Sequence, residues 1–368
     1  MSLLTAIVKE LISWREVKTN RKLIVFISDD WGSLRIRDKA QRDALIQLGI
    51  NMELNRFDKL DAFETNDDID GLFNVLSSYK DLHGRNPVLT AATCLANPDY
   101  EKIEADAFNN YYYKPIDSIY KEFYASDKVL DKMLAAMNEG FFVPEFHGRE
   151  HLNTNWWLDY LKNAVPIFKT AFGESFFMIS GGYQREKGFG GIGASFDLAN
   201  SSEIKSHIET ALDGLRTFER IFKQKASCFI APSLLFNSGM EPALSTAGIK
   251  LVDVARFRTE PVGEGKYKKR LHYMGQKAAA GCHYFSRNAV FEPDYYGAKD
   301  EVETCLQQVK QAFDRKQPAV ISNHRVCFMG GIKTENRDFG LKALDKLFRT
   351  ILTKWPDAEF VPLSALAE

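Results

Sequence analysis

Apolar runs of five to seven residues alternate with stretches of helical spacing along most of this chain. Residues 23–28 (Leu-Ile-Val-Phe-Ile-Ser) read as a strand buried on both faces, and residues 87–93, 141–146, 227–231, 249–254 and 319–323 read the same way. Shorter extended pieces are expected at 175–180, 282–285 and 359–361. Helical spacing predicts helices over 39–48, over 69–79 and over 127–139, the last closed by Gly140. A further helix runs through Trp156, Leu158 and Leu161. Residues 202–222 carry Ile204, Ile208, Leu212, Leu215 and Phe218 on one stripe, and helices follow at 240–247, 301–313 and 341–355, where Pro356 ends the pattern. Strand–helix alternation with apolar strands predicts a mostly parallel sheet covered by helices.

The chain begins with Leu3, Leu4, Ile7, Val8, Leu11 and Ile12 on one side and Lys9 and Glu10 on the other. That pattern predicts an N-terminal amphipathic helix within residues 1–20, packed on a single domain spanning 21–368. Residues 106–126 and 181–200 fit neither period and are expected as loop insertions. No internal repeat, low-complexity tract or linker is visible.

Composition narrows the function classes. The 368 residues are 45% hydrophobic and 26% charged, which is ordinary for a folded domain. Net charge is -1 with no long run of one sign, so no nucleic-acid footprint is expected. No segment approaches the ~18 apolar residues of a membrane span. No secretory leader is recognisable, and a cytoplasmic protein is expected. The five cysteines are odd in number and far apart, which predicts reduced thiols. Nothing in the pattern speaks to oligomeric state.

Candidate chemistry collects at strand ends. Asp29-Asp30 follows the first apolar run, His147-Gly-Arg-Glu-His151 follows the third, and His324 closes residues 319–323. Each has an ordinary structural reading: a helix cap for the aspartates, surface imidazoles for the histidine pair, a buried ring satisfied by a carbonyl for His324. Histidines four apart share one face of a helical turn and can reach one ion, and a carboxylate with two imidazoles is a common metal donor set. A histidine at a strand end can act as a general acid near neutral pH. In an α/β barrel the C-terminal strand ends are the edge on which active sites are built.

Taken together, these words resemble the polysaccharide deacetylase superfamily, carbohydrate esterase family four. Phe26-Ile-Ser-Asp29-Asp30 is similar to its first motif, and His147-Gly148-Arg149-Glu150-His151 to its His-(Ser/Thr)-x-x-His motif with glycine in place of the hydroxyl residue. Ile321-Ser-Asn-His324 is similar to its Leu-x-His motif. The resemblance spans about residue 23 to the C-terminus. It implies a distorted (β/α) barrel of about seven strands, with one divalent metal ion held by Asp30, His147 and His151. Zinc is expected ahead of cobalt, nickel or iron. It further implies Asp29 as base, His324 as acid, and removal of an N- or O-linked acetyl group from a carbohydrate.

The third motif, Arg-x-Pro-Tyr, falls on Ile230-Ala231-Pro232-Ser233, where only the proline matches. Pro232 and Ser233 are therefore expected at the oxyanion position, and Arg287 as the replacement arginine that orients the base. Asp253 is the candidate for the aspartate that tunes the acid. Trp31 and Asn323, beside the motif residues, are expected to contact substrate. A catalytically silent glycan-binding relative and an amidase acting on another C–N bond are the alternative readings.

Two further features carry less. Gly188-Phe-Gly-Gly-Ile-Gly193 fits Gly-x-Gly-x-x-Gly but has no strand before it and no helix directly after it. A loop over the cleft is expected there, not a dinucleotide site. Tyr111, Tyr112 and Tyr113 could stack on sugar rings, though packing of an inserted segment is the preferred reading.

Overall fold

The computed structural model describes residues 15–180, 191–278, 280–297 and 300–367. The helix expected over residues 2–14 lies outside them, as do residues 188–190 of the glycine-rich stretch.

Nine strands build the main sheet: β1 (Lys22–Trp31), β2 (Leu89–Thr93), β3 (Phe142–Phe146), β4 (Cys228–Phe229), β5 (Leu251–Asp253), β6 (His283–Phe285), β7 (Ala289–Val290), β8 (Ala319–His324) and β9 (Ala358–Phe360). Their order is β6-β5-β4-β3-β2-β1-β8-β7, with β9 paired to the first residues of β1, and every pairing is parallel. Residues 23–31 of β1 are all buried, as a central parallel strand covered on both faces requires.

The two edge strands, β6 and β7, are consecutive in the chain and separated by only Ser286, Arg287 and Asn288. One run of chain thus pairs with β5 at its start and β8 at its end, and the curled sheet becomes a distorted barrel. Arg287 sits on this seam.

Helices cover the sheet with caps that the sequence supplies. Asp38, Asn153 and Asp300 accept hydrogen bonds from backbone N–H groups at the starts of the helices Lys39–Gln47, Thr154–Lys162 and Glu301–Asp314. Thr65 and Asp68 form a reciprocal capping box at Asn66–Ser77. The main core lies between the sheet and these helices, with Phe26, Leu72, Phe142, Phe229, Leu344 and Phe348 fully buried. Among the described residues no helix is long and apolar enough to cross a membrane. All five cysteines are free and buried.

Several elements differ from expectation. Residues 175–180 form no strand; Ser175 has a positive φ of 54°, and Phe176, Phe177, Met178 and Ile179 are buried by packing outside any sheet. An antiparallel hairpin, Phe257–Gly263 with Lys266–Leu271, was not indicated because its second strand is half lysine and largely exposed. Helices at Arg56–Leu60, Tyr100–Ala105, Ile116–Glu122 and Pro166–Gly173 are too short to show a period. Tyr111 is partly buried and packs against Trp157, and burial pushes its phenol well above the usual value, in keeping with the packing reading.

Candidate active site

At the end of β1 the pairing with β2 shifts register between Ser28 and Trp31, and Asp30 takes a left-handed φ of 75°. In a regular strand neighbouring side chains point to opposite faces. This bulge lets both Asp29 and Asp30 face one cleft of ≈ 580 Å³. The tight exit depends on Gly32: at φ 76°, a Cβ there would stand 2.4 Å from the Cys94 carbonyl oxygen. Gly32 N–H donates to Glu64, which with Asp61 pairs the buried Arg325 beneath the bulge.

His147 leaves β3 and its Nδ1 lies 2.8 Å from the Ile230 carbonyl oxygen. That carbonyl can only accept, so Nδ1 carries a proton and Nε2 is the nitrogen turned to Asp30. His147 Nε2 is 3.2 Å and His151 Nε2 3.3 Å from the same atom, Asp30 Oδ1. These ligand atoms all lie within 4.8 Å of one another. Residues 147–153 are a loop, not the helical turn expected from the four-residue spacing, and the helix begins only at Thr154. The chain turns at Gly148, φ 93°, where a Cβ would crowd Pro232 and the Glu150 carbonyl. A side chain at position 148 would therefore be strained. Burial alone would raise the Asp30 carboxyl, but the His151 and His147 imidazoles hold it well below the usual range.

Asp29 is clamped by Arg287. Nη1 donates to Oδ2 at 2.6 Å and Nη2 to Oδ1 at 2.9 Å, while Nε donates to Asp253 at 2.8 Å. Nη1 also donates to Ser322. Burial pushes the Asp29 carboxyl up, yet Arg287, His147 and His324 outweigh it and leave the group below its ordinary value. Asp253, more deeply buried and with Oδ1 unpartnered, is pushed up to about 6.

Parallel pairing sets Asp29 directly beside His324, their Cα atoms being register partners on β1 and β8. His324 Nε2 lies 3.9 Å from Asp29 Oδ2, and Nδ1 is 2.6 Å from Glu292 Oε1. Burial lowers the imidazole, but Glu292, with Asp30 and Asp29 behind it, prevails and pushes it up to about 9. Glu292 is itself held by Arg56 at 2.8 Å. The cleft is completed by Arg35, Asn55, Phe57, Met178, Ile179, Ser180, Gly193 and the shelf of Ala231, Ser233 and Leu234. Ser233 and Leu234 both have positive φ, 57° and 53°, so this shelf is a strained turn held against the opening.

No family model matches the chain, and no curated protein does. Solved structures do. The chain is similar to a Mycobacterium smegmatis protein assigned as a polysaccharide deacetylase, at 9% identity and a TM-score of 0.46, over 95% of this chain and 90% of that one. It is also similar to a 4-alpha-glucanotransferase from Thermococcus litoralis, at 10% identity and a TM-score of 0.48, over 94% of this chain but 40% of that one. An allantoinase is a third, at 9% identity and a TM-score of 0.45, over 95% of this chain and 90% of that one. These likenesses concern the path of the chain.

The structure thus brings Asp29, Asp30, His147, His151, Arg287, His324 and Ser233 to one cleft, with buried Pro232 supporting the shelf. Three expectations are corrected. Trp31 is fully buried and packs edge-on against Phe142, because the bulge turns it into the core. Asn323 points away from the cleft: Ser322 and His324 face it, and alternation sends Asn323 inward. There Asn323 donates to the Phe291 carbonyl and accepts from Ser28. Asp253 orients Arg287 instead of His324; the carboxylate on His324 is Glu292. Glu292 follows β7 by two residues and carries no motif, so only the sheet reveals it.

Proposed function

We propose that this protein is a metal-dependent hydrolase that removes an acetyl group from a carbohydrate. The observation that carries the reading is the convergence of Asp30, His147 and His151 beside an arginine-clamped Asp29 and a carboxylate-tuned His324.

The donor set fits a divalent ion. Three ligand atoms from buried or nearly buried groups are close enough to share one cation, and with Nδ1 donating to the Ile230 carbonyl, Nε2 of the neutral His147 ring would be the atom that binds it. Such an ion supplies Lewis acidity, polarising an acyl carbonyl and acidifying a water. Asp29, kept ionised by Arg287, takes the proton of the attacking water as its oxygen bonds to the acyl carbon. His324, protonated at neutral pH, gives its proton to the departing nitrogen or oxygen as the C–N or C–O bond breaks. Acetate and a free amine or hydroxyl result. The Ser233 backbone N–H would be the donor to the developing oxyanion, since the Leu234 N–H on the same shelf is taken by the Ala231 carbonyl at 2.8 Å.

Metal content and acetate release, measured together on purified variants, test this. Asp30→Ala and His151→Ala are expected to lose the metal. Asp29→Asn is expected to keep it and lose turnover. Full activity of Asp29→Asn would overturn the division of roles. Metal without acetate release from any acetylated sugar would make the chain a silent relative, and formate or ammonia release would make it an amidase.

A further inference from the structure

Regular alternation along β1 would send the neighbouring side chains of Asp29 and Asp30 to opposite faces of the sheet. Asp30 reaches His147 and His151 only because its φ is 75°, a left-handed value that residues with a Cβ adopt at a cost. Gly32, two residues on, is left-handed as well at 76°. Such a backbone persists only where its surroundings over-determine it.

Beyond Trp31 the chain leaves the sheet, so its buried backbone groups need partners from elsewhere. Side chains supply them. Glu64 Oε1 accepts from the Gly32 N–H at 2.7 Å, and Asn97 Nδ2 donates to the Gly32 carbonyl at 2.9 Å. Asn97 Oδ1 also accepts from the Leu34 N–H at 2.7 Å. Arg325 donates through Nη2 to the Ser33 carbonyl, pairs through Nη1 with Glu64 at 2.5 Å, and donates through Nε to Asp61 at 3.2 Å. Glu64, Asn97 and Arg325 are all buried, and none of them lines the cleft. They reach the exit of β1 from three separate places: just before the helix Asn66–Ser77, the short strand Ala96–Pro98, and the residue after His324. Apolar side chains of the same volume would commonly give as stable a core. What they could not do is hold these backbone groups.

We propose that Glu64, Asn97 and Arg325 are positioning residues for Asp30. They clamp the exit of β1, so that Asp30 keeps its left-handed turn and its carboxylate stays beside His147 and His151. The inference rests on the metal reading of that trio and extends it to residues outside the cleft. Without the clamp, residues 29–32 relax toward regular extended backbone and carry the Asp30 carboxylate away from the imidazoles.

Zinc affinity of the full-length protein, measured by competition with a chromophoric chelator, tests the clamp, with the melting temperature of the metal-free protein alongside. Glu64→Leu removes the acceptor for Gly32 and should weaken zinc binding about 10- to 100-fold, the usual result of losing a residue that orients a ligand. Glu64→Gln keeps a carbonyl oxygen for that N–H and should restore most of the affinity. Asn97→Ala leaves the ion pairs intact and should weaken zinc binding about tenfold, which keeps the test decisive if Glu64→Leu fails to fold. Leu344→Ala opens a cavity in the core beneath the helix Thr334–Lys354; it should lower the melting temperature and leave zinc affinity unchanged. Wild-type affinity in Asn97→Ala or in folded Glu64→Leu overturns the clamp, as does a loss in Leu344→Ala that matches theirs. A wild type that binds no zinc overturns the metal reading itself, and the clamp with it.

Discussion

The first strand carries an ion cluster at each end, and the two differ in what surrounds them. At its start, Glu359, itself as buried as Asp29, accepts from Arg21 at 2.8 and 2.7 Å and from Arg85 at 2.9 Å, arginines whose side chains are 58% and 38% exposed. At its end, Asp29 and Asp253, both buried, share Arg287, whose side chain is only 10% exposed. The partner chemistry is the same and the geometry is equally good. In water such pairs contribute ~1 kcal/mol or less, because solvent and salt screen them. Out of water each charge brings a desolvation cost of several kcal/mol that only its partners offset. The cluster with solvent-facing arginines ties the last strand to the first; the one with a buried arginine holds a carboxylate ionised where it would otherwise take up a proton.

Arg287→Met should break the contrast most severely. It leaves Asp29 and Asp253 buried without their cation, so both should shift toward the neutral acid and the base is lost. Turnover should fall more than about 10²-fold. Unfolding free energy should drop by about 3–5 kcal/mol, the usual result of orphaning one side of a buried pair. Denaturant titration and kcat on the same preparation check both. A variant as stable and active as the wild type would show that the clamp matters for neither. Arg287→Lys sharpens the point, since an ammonium keeps the charge but cannot supply the two-pronged fork to Asp29 while reaching Asp253.

His324→Ala separates catalysis from stability. The side chain is 31% exposed, so its removal should cost little folding energy, while the rate should fall roughly 10²–10⁴-fold through loss of the acid. A rate within twofold of wild type removes His324 from the mechanism.

How far the sequence could anticipate this cleft follows from which residues announce themselves. Asp29, Asp30 and His324 end long apolar runs, and periodicity locates those ends within one or two residues. His147 and His151 were visible as a spaced pair, although a loop and not a helix brings them together. Arg287 was found only by asking what replaces the motif arginine; the seam between β6 and β7 that places it there is a property of the closed sheet. Glu292 and Arg35 come from short connections, and Asn55 and Phe57 from the cap and first turn of a five-residue helix; their positions depend on long-range packing, and no local pattern marks them. Trp31 and Asn323 failed for one reason: adjacency in sequence does not carry across a bulge or along an alternating strand. The same gap hid the hairpin at 257–271, whose lysines read as solvent.

Glu292→Gln offers a milder comparison, inside the site. The wild-type imidazole, raised to about 9, is a charged donor throughout the neutral range and loses its proton only above that pH. Removing the Glu292 charge should bring it back toward the ordinary histidine value near 6.5. The alkaline limb of kcat/KM against pH should move down accordingly, with about tenfold less activity near pH 8 and little change at pH 6. A limb that stays in place would show that another group governs it.

The smallest effect belongs to Glu359→Gln at the far end of β1. The Glu359 carboxyl is held down at about 2, chiefly by its hydrogen bonds from Arg21 and Arg85, which outweigh its burial. Its unfolded value is the ordinary one, near 4.3. A depressed folded value gives stability that is present above the unfolded value and lost as pH falls toward the folded one. The wild type should therefore lose this contribution between about pH 4.5 and 2, and the glutamine variant should lack it at every pH. Taken at face value that shift is worth ~3 kcal/mol at pH 7, but the arginines are solvent-facing and screened, so the difference should be nearer ~1 kcal/mol and shrink in high salt. Melting temperatures at pH 7 and pH 3, with and without added salt, measure it. A loss at pH 7 as large as that of Arg287→Met would show that the two ends of the strand are not distinguished by their exposure to water.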